Sequence, residues 1–292
     1  MTRSRLPAIC RLCMLPLMMG LLPASPLHAE ETLLIRYPRL SLGADPNGKY
    51  LTELLSEALN NSGRAYQLIV SKDPMQQARA IYEMTSGTGS IDVMWTTTTE
   101  EREKQLIPVR IPLDKGLFGW RIALVAHEGL LNGVGSLTDL RKFSAGQEFD
   151  WPDVDILRKN GLPVMTSNAY EPLFTMLKAG RFDYFPRSVA EIRDEFEGHP
   201  QAALSIDESI VLHYPTAFYF FVTPRRPDIA KALQAGLEKM IRNGRFDKLF
   251  QQYLGSAIQK AGLRQRKVIE LSNPLLKPGT LPLSRSELWY RP

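Results

Sequence analysis

The sequence has very little cysteine. Its two cysteines, Cys10 and Cys13, both lie within the first 29 residues, so the rest of the chain contains no thiol. Disulfide bonds and cysteine-ligated metal sites are therefore excluded for residues 30–292. Neither cysteine stands at the end of the apolar segment around it, which is where a lipoprotein would carry its lipid.

Residues typical of metal and catalytic sites are also scarce. After residue 29 the sequence has three widely spaced histidines, and it contains neither a nucleophile elbow nor a glycine-rich phosphate loop. We therefore predict a protein that is not an enzyme and that holds no metal or cofactor. A dehydratase-like enzyme that uses one cleft carboxylate, from Glu191 or Asp183, is the alternative.

The sequence also lacks a long hydrophobic run. The apolar stretch Met14–Leu22 is about ten residues long, whereas a membrane-spanning helix needs about 20. It follows three arginines and precedes small and turn-forming residues that end at Ala29. This order is typical of a secretory signal peptide. We predict that residues 1–29 are cleaved off and that the remaining chain is soluble in the periplasm.

Neither sign of charge dominates once the predicted signal peptide is set aside. The full sequence carries a net charge of +5, and residues 1–29 hold three arginines and no acid, which leaves +2 on the remaining 263 residues. A nearly balanced surface argues against nucleic acid as a partner. This length corresponds to one large or two medium-sized domains, and we expect a monomer.

Short strand-like segments alternate with amphipathic helices along the chain. Leu33–Tyr37, Tyr66–Val70 and Ile91–Trp95 are predicted strands, and the apolar residues between them recur every three to four positions, as in helices. A second alternating block begins near Val134. The pattern predicts an α/β protein with two lobes, each a largely parallel sheet flanked by helices.

Two apolar segments, Leu117–Ala126 and Ala217–Thr223, carry β-branched and aromatic residues without helical periodicity. We predict that they are crossover strands that join the lobes. Lobes joined in this way can hinge, and a ligand would bind in the cleft between them. The predicted boundaries are residues 30–120 and 218–258 for lobe 1, residues 121–217 for lobe 2, and residues 259–292 for a C-terminal extension that packs on lobe 1.

A run of hydroxyl residues follows the predicted strand that ends at Trp95. Thr97 and Thr98 each stand three residues before a glutamate, so either fits a capping box that starts a helix. A helix start suits an anion, and Arg102 can add two parallel hydrogen bonds to a carboxylate. An ordinary cap with a solvated arginine fits the same pattern. Trp95 is a candidate for stacking on a ligand.

A second polar group follows the predicted strand Phe182–Phe185. Arg187 lies where this strand would open into the cleft, and Ser188 with Glu191 fits another capping box. Arg187 and Ser188 are therefore candidate ligand residues in lobe 2, although Ser188 can also serve only as a cap. Arg121 interrupts a predicted crossover strand and is either a hinge ion-pair residue or a cleft residue.

The order of these motifs resembles that of family 3 bacterial extracellular solute-binding proteins, which serve amino-acid transporters and have the type II periplasmic binding fold. Three stretches carry the resemblance, namely Ile91–Arg102, Gly180–Asp183 and Ala232–Tyr253. Within the first stretch, Arg102 matches the family's carboxylate-binding arginine and Thr97 matches one of its hydroxyl residues. The resemblance extends over residues 33–255.

The resemblance implies a protein that captures a small polar ligand with a carboxylate, either an amino acid or an organic acid. It also implies an inner-membrane ABC permease as the partner that receives this ligand for uptake. A ligand-sensing adaptor that docks on a membrane sensor protein is the alternative.

The chain departs from the family's pattern at two places. Arg187 and Ser188 replace the acid that usually follows the lobe 2 strand, and a segment that starts at Tyr37, itself a candidate ligand residue, replaces an aspartate-and-aromatic segment. We therefore predict a ligand with more than one anionic or acceptor group, held between Arg102 and Arg187. An inward-facing acid near Arg187 would instead favour an amino acid.

Overall fold

The computed structural model describes residues 1–2, 32–40 and 47–292. Apart from its first two residues, the predicted signal peptide at residues 1–29 lies outside the described residues and stays a prediction. Residues 31–292 form one compact unit, and its strands are arranged in two groups. The division into lobes at residues 120 and 218 likewise stays a prediction.

Strands and helices alternate along the described residues. The strands are β1 (Leu33–Leu40), β2 (Tyr66–Met75), β3 (Val93–Thr97), β4 (Ile107–Val109), β5 (Trp120–Val125), β6 (Ala145–Glu148), β7 (Val164–Ser167), β8 (Tyr184–Ser188), β9 (Ser205–Ile206), β10 (Ile210–His213), β11 (Phe218–Val222) and β12 (Lys267–Glu270). The helices are α1 (Gly48–Ser62), α2 (Gln77–Thr85), α3 (Glu100–Gln105), α4 (Leu137–Leu140), α5 (Pro152–Lys159), α6 (Pro172–Lys178), α7 (Ile192–Gly198), α8 (Pro227–Arg242) and α9 (Arg245–Ala261). Within this part of the chain, no helix combines the length and apolarity that a membrane span requires.

The first sheet group contains β1 to β4 and β11. β1 and β2 pair in parallel, and β11 lies antiparallel between β3 and β4. The backbone N–H of Asp92 donates to the carbonyl of Arg36 at 2.8 Å, which places the start of β3 beside β1. Helix α1 packs on α8, where Gly236 leaves room for the backbone of Ala58. The predicted apolar face of α1 is buried, and consists of Leu51, Leu54, Leu55, Ala58 and Leu59.

The second sheet group contains β5 to β10 and β12. Its strand order is β12-β10-β5-β8-β6-β7, and β9 also pairs with β5. β5 is antiparallel to its neighbours, whereas β6 is parallel to both β7 and β8. One apolar cluster of this group includes Leu140 and Leu157, and another includes Phe174 and Phe182. Burial within these clusters explains why β5 and β8 contain so few exposed residues.

The chain passes between the two groups at residues 110–119 and returns at residues 214–217. These two connections run side by side, because the N–H of Tyr214 donates to the carbonyl of Gly119 at 3.1 Å. Position 119 requires glycine, since the carbonyl of Tyr214 lies where a Cβ would stand. The segments predicted as crossover strands therefore form β5 and β11, each within one group, and the connections precede them.

The C-terminal extension differs from the expectation that residues 259–292 pack on lobe 1. Strand β12 pairs in parallel with β10 at the edge of the second group. The reason is the length of α9, which ends at Ala261 within an apolar cluster of the second group, close to that open edge. Only the later residues return to the first group, where Leu288 is fully buried.

Candidate functional site

Several cavities lie along the boundary between the two sheet groups in the described part of the chain, and the boundary that the next three share is called the cleft. The central cavity has a volume of about 60 Å³ and is lined by residues of both groups. A neighbouring cavity of about 210 Å³ shares Gln77 and Trp151 with it. A more open cavity of about 650 Å³ lies between α3 and α5.

Arg102 lies in α3, on the side of the cleft that the first group forms. Its guanidinium donates to the hydroxyl of Thr96 at 2.7 Å, to the carbonyl of Thr97 at 2.8 Å and to the side-chain oxygen of Gln77. These acceptors are uncharged, and among the described residues no carboxylate lies within 4.0 Å of the guanidinium. Burial lowers the pKa of Arg102 to about 10, and the distant charge of Asp150 offsets only part of this effect.

The start of α3 differs from both predicted capping boxes. The N-cap is Thr99, whose hydroxyl accepts a hydrogen bond from the backbone N–H of Arg102 at 3.1 Å. The chain stays extended for longer than predicted, because the N–H of Thr98 donates to the carbonyl of Ala217. Thr98 is buried and its hydroxyl donates to Glu103, so it is used within the first group. Since α3 has six residues, we assign no anion site to its N-terminus.

Trp95 and Thr97 lie at the end of β3, and both line the central cavity. Trp95 is buried and packs against Tyr37, with 5.9 Å between the ring centroids, and against Phe220. Tyr37 therefore supports the cavity wall through its contact with Trp95. The assignment of these side chains to a ligand stays a prediction.

Arg187 lines the central cavity from the second group, but its charge is paired within that group. Its Nε and Nη2 donate to the two carboxylate oxygens of Glu195 in α7 at 2.7 and 2.6 Å, and Nη2 also lies 3.3 Å from Glu191. The guanidinium stacks 4.5 Å from the ring centroid of Trp151. Burial alone would lower the pKa of Arg187, but the two carboxylates outweigh burial and raise it.

Arg121 lines the same cavity and is also paired. Its Nη2 lies 2.9 Å from Asp153, its Nη1 lies 3.5 Å from Glu191, and its Nε donates to the hydroxyl of Tyr214 at 2.8 Å. Burial would lower the pKa of Arg121, and the charge of Asp153 is the main cause that raises it instead. Arg121 is therefore both a cleft residue and an ion-pair residue, and it lies beside the connection at residues 214–217.

Ser188 is not the helix cap that the sequence predicted. Strand β8 continues to Ser188, three residues past the predicted end at Phe185, and Ser188 is fully buried. Its hydroxyl accepts from the N–H of Ala190 at 3.1 Å. Helix α7 begins later, with Glu191 as its N-cap and without a side-chain cap hydrogen bond. The carboxylate of Glu191 contacts the two arginines just described and also accepts from the backbone N–H of Ser188 at 3.3 Å, so one of the two hydrogen bonds of the predicted capping box is present.

Two cleft acids, Glu148 and Asp150, were missed by sequence reasoning. Glu148 is 4% exposed, and its Oε1 accepts from the side-chain amide of Gln76 across the cleft at 3.5 Å. Burial and then the charge of Asp150 raise the pKa of Glu148 to about 7. Burial also raises the pKa of Asp150. Glu148 is the last residue of strand β6 and Asp150 follows it, and acids at a strand end in an open α/β sheet would have been the signal.

The second group's wall of the cleft carries more acids than bases. Among the described residues that line the central cavity and the cavity of about 210 Å³, the second group contributes two guanidiniums and five carboxylates, those of Glu148, Asp150, Asp153, Glu171 and Glu191. Glu195 pairs with Arg187 behind them. Both guanidiniums, those of Arg121 and Arg187, are engaged in ion pairs. In the described part of the chain, Glu148 and Asp150 have no cation within ion-pair distance. This wall therefore attracts a positive group more strongly than a negative one.

Comparisons with known proteins show similarity in structure and not in sequence. No protein-family model matches the chain, and no curated protein matches it. Among solved structures, an ancestral arginine-binding protein bound to glutamine is 22% identical, with a TM-score of 0.58 over 77% of this chain and 99% of that one. A periplasmic binding protein from Salmonella typhimurium with high arginine specificity is 13% identical, with a TM-score of 0.57 over 76% and 100%.

A third similar structure is the extracellular-binding protein of a probable amino-acid ABC transporter from Bacillus subtilis. It is 14% identical and has a TM-score of 0.60 over 77% of this chain and 99% of that chain. All three are binding proteins, and their agreement confirms the predicted resemblance at the level of the fold. The chain has the two-group α/β fold of type II periplasmic binding proteins.

Proposed function

We propose that this protein is an exported solute-binding protein that holds a small carboxylate-bearing ligand in the cleft. It acts in the periplasm and delivers the ligand to an inner-membrane ABC permease for uptake. The fold shared with binding proteins of amino-acid transporters supports this function. A membrane sensor protein is the other partner that this fold could serve.

Arg102 is the single observation that carries the proposal. It is a cation held in place by three uncharged acceptors, and no carboxylate among the described residues lies within ion-pair distance of it. Arg102 is partly buried, and a charge removed from water without a counterion is costly. A ligand carboxylate would supply that counterion through two parallel hydrogen bonds. An arginine that binds a ligand carboxylate must likewise have no protein carboxylate paired with its guanidinium.

The charges of the opposite wall support an amino acid as the ligand in preference to a dicarboxylate. The prediction of a second anionic group rested on a free guanidinium at Arg187, and Glu195 already pairs with that guanidinium. A second ligand carboxylate would instead meet Glu148 and Asp150. A ligand amine would be attracted by both acids, so we propose a zwitterionic or basic amino acid.

The contacts of the candidate catalytic acids support binding without catalysis. Glu191 lies within ion-pair distance of Arg121 and Arg187. Asp183 accepts hydrogen bonds from the backbone and hydroxyl of Ser144 at 2.6 and 2.8 Å. Both carboxylates are thus engaged in structural contacts, and neither is placed as a free general acid or base.

A thermal-shift screen tests the proposal. It should compare neutral and basic amino acids with dicarboxylates and polyamines. A ligand at 100 times its Kd adds about 2.7 kcal/mol of stability, which corresponds to a rise in Tm of roughly 5–10 °C for a chain of this size. Mass spectrometry should recover the ligand unchanged. A screen in which only dicarboxylates raise Tm would contradict the amino-acid assignment, and a transformed ligand would indicate an enzyme.

A further inference from the structure

The C-terminal residues after α9 are anchored on the second sheet group first. Strand β12 pairs with β10 over four residues on each strand. The N–H of Leu271 continues this pairing by donating to the carbonyl of His213 at 2.8 Å. The side chain of Asn160, at the end of α5, then holds Ser272 with hydrogen bonds of 3.0, 3.2 and 2.8 Å to its N–H, hydroxyl and carbonyl.

The C-terminal segment reaches the first group at Leu275, only three positions after Ser272. The carbonyl of Leu275 accepts from the N–H of Glu100, at the start of α3, at 3.0 Å. The ammonium of Lys277 lies 2.7 Å from the carboxylate of Glu100. Further along, Arg285 forms two hydrogen bonds with Glu238 of α8, at 2.6 and 3.0 Å.

The end of the chain is fixed at the connection that leaves the first group. The N–H of Tyr290 donates to the carbonyl of Lys115 at 2.7 Å. The ring of Trp289 covers Gly116, where an added Cβ would stand 2.7 Å from a ring atom. Leu288 is fully buried in the first group's apolar cluster. The first-group anchor is therefore built from packing as well as from surface ion pairs.

Residues 272–275 thus cross from one group to the other, and they do so beside the returning connection. The side-chain amide of Asn273 donates to the carbonyl of Pro215 at 2.9 Å. Because Ser272 and Leu275 are three residues apart, a fully extended chain allows their Cα atoms to separate by only about 10 Å. At this edge the two anchors cannot separate beyond this length unless one of them breaks.

We propose that residues 272–275, the fourth passage between the groups after the two connections and helix α9, are a strap that limits how far the two sheet groups can open. The two connections at residues 110–119 and 214–217 permit bending, and the strap adds a fixed maximum length at one edge of the cleft. This inference concerns the motion of the fold and does not depend on which ligand the cleft holds.

Lengthening the strap tests the proposal without a ligand. The sequence Gly-Ser-Gly-Ser is inserted between Asn273 and Pro274, which leaves both anchors intact and adds about 13 Å of reach. The matched control is the same insertion after Gly279, in an exposed turn between two first-group contacts. Spin labels are placed by Tyr82→Cys in α2 and Met165→Cys in β7, both exposed positions, in a chain with Cys10→Ser and Cys13→Ser.

Double electron–electron resonance should show a longer and broader distance distribution for the insertion at residue 273 and an unchanged one for the control. Equal distributions in all three proteins would overturn the proposal, as would an equal increase from both insertions. If the insertion variant does not fold, Asn160→Ala releases Ser272, which moves the second-group anchor back to Leu271 and lengthens the strap. Its control is Asn61→Ala, because Asn61 also bonds the carbonyl four residues earlier but does not touch the strap.

Discussion

Arg187 and Glu195 form a two-point ion pair inside the second sheet group, at 2.7 and 2.6 Å. The pair lies on the wall of the central cavity, yet it is complete without any ligand. The family resemblance places an amine-binding acid near position 187, and we predicted that Arg187 would instead hold a second anionic or acceptor group of the ligand. In this chain Arg187 is paired within the second group, and our proposal assigns the ligand's amine to Glu148, the last residue of β6, and to Asp150.

The buried pair should be costly to break. Removing one partner of such a pair leaves an uncompensated buried charge, which destabilises a protein by about 3–5 kcal/mol. We expect Glu195→Gln to lower the free energy of unfolding by an amount near the lower end of this range, because Glu191 remains beside Arg187. Urea denaturation measures the change.

The matched control is Glu197→Gln, on an exposed position of the same helix. It should change the free energy of unfolding by less than about 0.5 kcal/mol. If the two variants are equally stable, the pair between Arg187 and Glu195 contributes little, and the argument that Arg187 is unavailable to a ligand loses its basis.

Glu148 should make stability depend on pH. Its pKa is raised to about 7, first by burial and then by Asp150, so the folded protein binds a proton that the unfolded chain releases near pH 4.5. Stability therefore falls as pH rises from about 5 to 7. Glu148→Gln should remove this loss and exceed the wild-type stability at pH 8 by at least about 1 kcal/mol.

Urea denaturation at pH 5 and pH 8 measures this effect. At pH 5 the variant and the wild type should differ much less, because Glu148 is then protonated in the folded protein. Glu128→Gln, at an exposed position, should match the wild type at both values. A Glu148→Gln advantage that is the same at both pH values would show that the carboxyl does not titrate in this range.

The periodic elements could be predicted from the sequence because each has one apolar face. The buried residues of α1 recur at helical spacing, and those of α8 do so as well. The strands β1, β3 and β11 are apolar enough to stand out from their surroundings. These elements are sufficient to define the first sheet group and the fold class.

The second group's polar strands could not be predicted in the same way. β6 contains Gln147 and Glu148, and its burial depends on neighbours that come later in the chain. β8 includes Arg187 because Glu195, eight residues further along, supplies the counterion. β12 depends on where α9 ends. Such pairings are decided in three dimensions, so the local sequence pattern does not reveal them.

The candidate site could be predicted only in part, because the directions of its side chains also depend on the three-dimensional structure. Trp95, Thr97, Arg121 and Arg187 do line one cavity, from both groups, whereas Arg102 lines the more open cavity between α3 and α5. Thr98 and Ser188 were chosen as helix caps, and both are used inside the protein because the preceding strands run longer than predicted. Spacing along the chain located the strand ends to within a few residues, which is too coarse to decide the direction of a side chain.

Capture of a carboxylate by Arg102 is the central claim, and titration calorimetry with the ligand from the screen tests it most directly. Loss of a charge-assisted contact in a desolvated cleft costs about 2–5 kcal/mol, so Arg102→Ala should weaken binding at least about thirtyfold. Arg242→Ala, an exposed arginine at the end of α8, should bind like the wild type. A folded Arg102→Ala protein with unchanged affinity would contradict the account.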